Sequence, residues 1–448
     1  MFNKILIANR GEIAVRIIRS AKEMGIKTVA VYSEVDKESL HVRLADESVC
    51  IGSALSTDSY LKIPNLISAA EVTGADAIHP GYGFLAENSE FAKICADHDI
   101  VFIGPKPESI IKMGDKATAR ETAIANNVPI TRGSDGIIKD IEKAKKLVNE
   151  IITYPVMIKA TAGGGGKGMR IARNDKELEA NMVAAQNEAK AAFGNPDVYI
   201  EKYVEDPKHI EIQIIGDKHG NVVHLGERDC SIQRRHQKLI EESPSTAISP
   251  EIREKMGEAA VRLAKAINYD SAGTLEFLVD KNQNFYFMEM NTRIQVEHTV
   301  TEAVTGVDII KEQILAAAGE ELTVRQEDIK IEGHAFEFRI NAEDSNNNFL
   351  PSAGTLEEYI PSGGLGIRID SHSYKGYDIP PYYDSMIAKL IVIGKDREEA
   401  INRSKRALNE FIIEGVETTI PFHLKVLENK VFTNGDVYTS FIEKHMEK

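Results

Sequence analysis

The residues best suited to chemistry lie in two segments, 273–280 and 284–291, joined by the polar turn Lys281-Asn282-Gln283. If they form a β-hairpin turning at Asn282-Gln283, Glu276 stands directly opposite Glu289, while Leu275, Phe277 and Val279 oppose Met290, Met288 and Tyr286 on the apolar face. Two carboxylates in that position, about 4.5–5.5 Å apart at Cβ, repel each other unless a cation lies between them. Hard oxygen donors with no neighbouring His or Cys suit Mg²⁺ or Mn²⁺ rather than zinc, and magnesium commonly joins carboxylates to substrate phosphates. Past the hairpin, Glu289, Asn291, Arg293, Gln295 and Glu297 recur with a period of two, so an extended chain points all of them the same way. That row offers metal ligands, a guanidinium fork for a small oxyanion and a carboxylate able to act as general base.

Other segments add to this chemistry. The run Gly163-Gly164-Gly165-Gly166-Lys167-Gly168 between strand-like segments fits either a phosphate cradle assisted by Lys159 or a surface hairpin; it lacks the Walker spacing. Segment 208–215 alternates, setting Ile210, Ile212 and Ile214 against His209, Glu211 and Gln213, as in a half-exposed strand or one that faces a site. Gln233-Arg234-Arg235-His236-Gln237-Lys238 gathers basic groups in an acidic chain, which suits an anionic ligand or a solvated turn. Arg339 alternates with Phe338 and Ile340, so it faces away from the core, toward a ligand or a salt-bridge partner. A phosphate loop, a magnesium carboxylate pair and an anion site with a base together describe ATP-dependent activation of a small oxyacid.

These groups must be carried by several domains: 448 residues suggest about three. Apolar residues make up 42% and charged residues 27%, as in a globular chain, and the net charge of −15 disfavours nucleic acid as a partner. No apolar run is long enough to span a membrane and no signal peptide is evident, and three scattered cysteines fit a reducing cytoplasm. The first hundred residues alternate strands (4–8, 28–32, 76–78, 100–103) with helices, predicting a parallel α/β sheet. In the first helix Ala14, Ile17, Ile18 and Ala21 form the apolar stripe and Gly25 the stop signal. A smaller α+β lobe follows, then a sheet-rich region over 208–299 and a mixed α+β C-terminal unit.

The chain resembles the biotin carboxylases, a branch of the ATP-grasp ligases, nearly end to end. The resemblance is carried by Ile7-Ala8-Asn9-Arg10-Gly11-Glu12-Ile13-Ala14, His79-Pro80-Gly81-Tyr82-Gly83-Phe84-Leu85, the glycine run, and Glu289-Met290-Asn291-Thr292-Arg293-Ile294-Gln295-Val296-Glu297-His298. It implies an N-terminal α/β domain (1–114), an ATP-grasp domain (115–317) with a mobile lid (132–203), and a C-terminal domain (318–448). It implies that bicarbonate is phosphorylated to carboxyphosphate and that biotin is carboxylated on a carrier protein. This would be the first half-reaction of acetyl-CoA carboxylase or, alternatively, of a pyruvate or other acyl-CoA carboxylase.

By matching motif positions, ATP contacts fall to Lys116, Lys159, Gly165, Gly166, Glu201, Lys202, Tyr203, Val204, His209, Gln233, His236, Glu276, Leu278 and Glu289. Metal falls to Glu276, Glu289 and Asn291; bicarbonate to Lys238, Arg293, Gln295 and Val296, with Glu297 as base; and biotin to Tyr82 and Arg339. The cofactors are then ATP and Mg²⁺ or Mn²⁺. The chain carries no Met-Lys-Met biotinylation site, so biotin is expected on a separate carrier protein, with carboxyltransferase subunits as further partners. A homodimer is expected, with Arg16, Arg19 and Glu23 suited to its interface.

Overall fold

The computed structural model describes residues 1–134, 136–160, 169–193 and 195–446. Its first layer is a parallel sheet of β1 (Lys4–Ile7), β2 (Lys27–Ser33), β3 (Glu47–Gly52), β4 (Ala77–His79) and β5 (Val101–Phe102), ordered β3-β2-β1-β4-β5. The inner strands read as unbroken apolar runs because helices cover both faces. Helix Gly11–Glu23 buries the expected stripe, and Gly25 adopts a left-handed φ of +74° just past its end. The alternation did not reveal β3, an edge strand that is largely exposed and so carries no apolar pattern.

The small lobe is a three-stranded antiparallel sheet, β7 (Met169–Ala172), β6 (Val156–Ala160) and β8 (Val198–Lys202) in that order, under helix Asp175–Phe193. It has a core of its own, including Val156, Ile158, Leu178, Met182 and Ile200. The glycine run, with Gly165 and Gly166, lies outside the described residues.

An antiparallel sheet of eight strands forms the platform of the molecule. Its order is β13 (Phe285–Asn291), β12 (Ala272–Val279), β9 (Lys208–Gly216), β10 (Val222–Arg234), β11 (Gln237–Ser243), β14 (His334–Asn341), then Met386–Gly394 and Ile367–Ser371. It runs without a break from the strands of 208–291 into those of the C-terminal segment through the β11–β14 pair. Of the two readings of 208–215, the site-facing one holds: β9 is central and every one of its residues is buried.

The hairpin itself departs from the expected register. Glu276 opposes Glu289 and Leu275 opposes Met290, but a bulge then shifts the pairing so that Phe277 meets Phe287 and Val279 meets Phe285. Met288 is the extra residue and is 42% exposed, whereas Phe287 is 5% exposed and packs its ring near Phe277. One inserted residue reverses which side chains face the core, and two phenylalanines bury more apolar surface than Met288 and Tyr286 would. Among the described residues no helix is long and apolar enough to cross a membrane.

Candidate active site

Five adjacent strands of the platform contribute charged groups to one cluster: Glu276 from β12, His209 and Glu211 from β9, Arg228 from β10, Lys238 from β11 and Arg339 from β14. The segment after β13 bends away from the sheet instead of continuing as a strand, yet Gln295 and Glu297 still arrive at the same cluster. Ile294, 0% exposed, anchors that bend in the core.

Lys238 lies at the centre of the cluster. Its Nζ donates to Glu211 Oε2 at 2.6 Å, Glu276 Oε1 at 3.0 Å and Glu297 Oε1 at 2.6 Å. Arg339 donates from Nη2 to Glu297 Oε2 at 3.0 Å and from Nε to Glu241 Oε1 at 2.7 Å. Arg228, fully buried, donates to Glu211, Gln213, Thr274, Thr301 and Gln295. Burial alone would raise the Glu297 carboxyl, but Lys238, Arg339 and Arg228 hold it well below the usual carboxylate range. With both its oxygens committed to cations, Glu297 is a weak base as the site stands.

The metal-side groups behave differently. Glu276 accepts from Lys238, Asn291 and Gln295 on Oε1 and from His209 on Oε2. His209, which burial alone would neutralise, is kept protonated more readily than usual by Glu276. Glu289, half-buried and opposite Glu276, makes no side-chain hydrogen bond or ion pair among the described residues, and burial and then Glu276 push its carboxyl upward. An unpartnered carboxylate beside a second one, with Asn291 adjacent, fits a hard divalent cation.

The remaining expected residues lie partly beside this cluster and partly apart from it. Arg293 lies between Glu87, which its Nε contacts at 2.9 Å, and Asn291 Oδ1, which its Nη2 contacts at 3.0 Å. The Val296 carbonyl accepts from the buried Lys389 at 2.8 Å. The Tyr82 hydroxyl donates to Glu12, which also pairs with Lys389 at 3.2 Å. Lys159 and Arg120 both hold Glu201, at 2.7 and 3.0 Å. Lys202, Tyr203 and Val204 line a cavity of about 670 Å³, which the Lys238 cluster does not enter. Leu278 pairs in register with His209, and the exposed Lys116 lies within electrostatic reach of Glu289. Gln233 pairs with Lys238 one residue before the end of β10, and the Arg235-His236 turn follows, where His236 is exposed. Arg16 is not at the surface: it is 8% exposed and paired with Glu302 and Asp308, while Arg19 and Glu23 are exposed.

The sequence reading missed Arg228, Glu87, Glu241, Glu337, Lys389 and Glu12, and gave Glu211 no role. Two of these had a visible signal: Lys389 is a lone charge in the apolar run 386–393, and Arg228 sits with Glu227 and Asp229 inside a strand.

Residues 1–110 match the biotin carboxylase N-terminal domain family, 115–325 the ATP-binding domain family of the carbamoyl-phosphate synthase L chain, and 337–444 the biotin carboxylase C-terminal domain family. The chain is 62% identical to biotin carboxylase 1 of Bacillus subtilis, over 99% of both chains. The chain belongs to the biotin carboxylase family. This biotin carboxylase is also 54% identical to a pyruvate carboxylase subunit of Methanothermobacter thermautotrophicus, over 99% of this chain and 90% of that one. Among solved structures it is similar to the biotin carboxylase domain dimer of Hydrogenobacter thermophilus 2-oxoglutarate carboxylase, in complex with MgADP, ADP and bicarbonate. The TM-score is 0.91 and the identity 54%, over 99% and 98% of the two chains. It is therefore an ATP-dependent ligase that carboxylates biotin, with Mg²⁺ as its metal and carrier-bound biotin as substrate.

Proposed function

We propose that this biotin carboxylase performs the first half-reaction of acetyl-CoA carboxylase through the cluster around Lys238. The observation that carries the assignment of roles is the convergence of Lys238, Arg339 and Glu297 beside the Glu276–Glu289 pair. ATP is held by Lys116, Lys159, His209, Gln233, His236, Leu278 and the 201–204 segment, together with Gly165 and Gly166. Glu276, Glu289 and Asn291 hold magnesium, which when bound neutralises phosphate charge during phosphoryl transfer. Lys238, Arg293, Gln295 and the Val296 backbone bind bicarbonate, and Tyr82 and Arg339 bind biotin.

The parked cations give the reaction an order. When phosphate and bicarbonate draw Lys238 away from Glu297, that carboxylate loses a counter-charge and its proton affinity rises. It then takes the bicarbonate proton, which strengthens the oxygen that attacks the γ-phosphorus. Arg339, turned from Glu297 to the ureido oxygen of biotin, stabilises the negative charge that develops as N1′ loses its proton. The 132–203 lobe, with its separate sheet and core, is the lid that closes over this chemistry and excludes water from carboxyphosphate. It belongs to an ATP-grasp domain over 115–317, between domains over 1–114 and 318–448.

The partners we assign are a biotinylated carrier protein, carboxyltransferase subunits and a second copy of this chain, in the cytoplasm. Acetyl-CoA is the final acceptor we adopt, and pyruvate and 2-oxoglutarate are the alternatives, since relatives named for those carboxylases are each 54% identical to this chain. A carrier captured on the purified enzyme, reconstituted with its carboxyltransferase, is expected to give malonyl-CoA from acetyl-CoA. Oxaloacetate formed from pyruvate instead would assign the enzyme to pyruvate carboxylase.

A further inference from the structure

Behind Arg339 the sheet joins two glutamates that none of these roles uses. Glu241 on β11 and Glu337 on β14 are direct partners in the antiparallel ladder, and both are 0% exposed. Direct partners on one face stand about 4.5–5.5 Å apart at Cβ. One oxygen of each is satisfied: Glu241 Oε1 accepts from Arg339 Nε at 2.7 Å, and Glu337 Oε2 accepts from the Thr299 hydroxyl. The other oxygens, Glu241 Oε2 and Glu337 Oε1, are buried without a hydrogen-bond partner among the described residues. Two buried carboxylates so placed do not both ionise cheaply, and orphaned buried acceptors are rare in folded proteins. A single proton between the two free oxygens removes both difficulties, since one carboxyl becomes a donor and the other remains an acceptor.

We propose that Glu241 and Glu337 share one proton and together form the positioning device of Arg339, Glu241 Oε1 gripping both Nε and, at 2.5 Å, Nη2 so that the guanidinium is presented to Glu297 and to the biotin oxyanion. The proposal rests on the biotin role given to Arg339 above. The charged and titratable groups around the pair are Arg339 on β14, Lys238 on β11, Lys389 on the adjoining strand, Cys230 on β10 and Glu297 on the bend. Burial pushes the Glu241 carboxyl up to about 7, and raises that of Glu337 well above the ordinary range, against the pull of Arg339 and Lys389. With the proton in place, Arg339 faces two negative charges, one on Glu297 and one on the pair. Without it Arg339 faces three, and its field on a developing oxyanion is weaker. Loss of the proton as pH rises therefore lowers the carboxylation rate.

The test is isotope-edited infrared spectroscopy of the full chain, labelled with ¹³C-glutamate, following the protonated-carboxyl C=O band in wild type, Glu241→Gln and Glu337→Gln. One equivalent of the band is expected to disappear from both variants, because the remaining carboxyl ionises beside the new amide donor. Loss from only one variant, or from neither, overturns the shared proton. In wild type alone the same band is expected to bleach as pH rises, in parallel with loss of biotin carboxylation; a band that titrates without any change in rate overturns the link to Arg339. Glu241→Gln is expected to lower kcat/KM for biotin on the order of tenfold by loosening Arg339, and Glu337→Gln, which mimics the protonated form, to remove the alkaline loss. The infrared readout needs no substrate, so a failed biotin assignment shows as absent carboxylation with the band intact, whereas a failed dyad shows in the band itself.

Discussion

The two halves of the site hold their charge in opposite ways. On one side Lys238 and Arg339, the cations we assign to anionic substrates, and the buried Arg228 are each bound to carboxylates, so their charge is already neutralised. On the side we assign to metal Glu289 has no such partner among the described residues, and burial and Glu276 together disfavour its charge. The first arrangement stores binding capacity in a stable, self-paired form that substrate must open. The second leaves a repulsion for the metal to relieve. Replacing a residue on the paired side should therefore disturb folding as well as catalysis, while replacing one on the unpaired side should affect metal binding alone.

The largest effect is expected from Glu297→Gln. Loss of the base should reduce bicarbonate-dependent ATP cleavage by about 10²–10⁴-fold while nucleotide binding, measured by calorimetry, is retained. Normal turnover would remove Glu297 from the chemistry. Next, Arg228→Met leaves Glu211 as a buried charge short of one partner and should cost about 3–5 kcal/mol in denaturant unfolding. A much smaller loss would show that the paired side is not a stability element. Glu289→Gln should raise the magnesium needed for half-maximal activity on the order of tenfold and leave unfolding stability unchanged or higher, because it removes repulsion from Glu276. A drop in stability with normal magnesium dependence would reverse the comparison. The smallest effect concerns pH: the Glu289 carboxyl is raised by burial and Glu276, so it takes up a proton before an ordinary carboxylate does as pH falls. The magnesium requirement should rise in mildly acidic solution, and Glu289→Gln should flatten that dependence.

How far the site could be read from sequence follows from the range of the interactions. The Glu276–Glu289 pair was legible because a hairpin is local and its two-residue period fixes which side chains share a face. The exposure of Met288 was not, because alternation alone does not reveal a bulge. The self-paired half was hidden for another reason: Glu211, Arg228, Lys238, Glu297 and Arg339 come from separate strands and a bend, and only the strand order β9-β10-β11-β14 brings them together. Sequence placed Glu297 in the polar row, and left Lys238 between an anion site and a solvated turn and Arg339 between a ligand and a salt-bridge partner. It did not show that they hold one another, and that is what makes Glu297 a weak base before substrate arrives.

The most direct test of the account is phosphate release from MgATP by the purified enzyme, with and without ¹⁴C-bicarbonate and with and without biotin. Release is expected to depend on bicarbonate, to rise sharply when biotin is added, and to leave the labelled carbon on biotin. Release that ignores biotin, with no label transferred, would contradict the assignment of Arg339 and Tyr82 to a biotin site and leave only an ATP-dependent bicarbonate kinase.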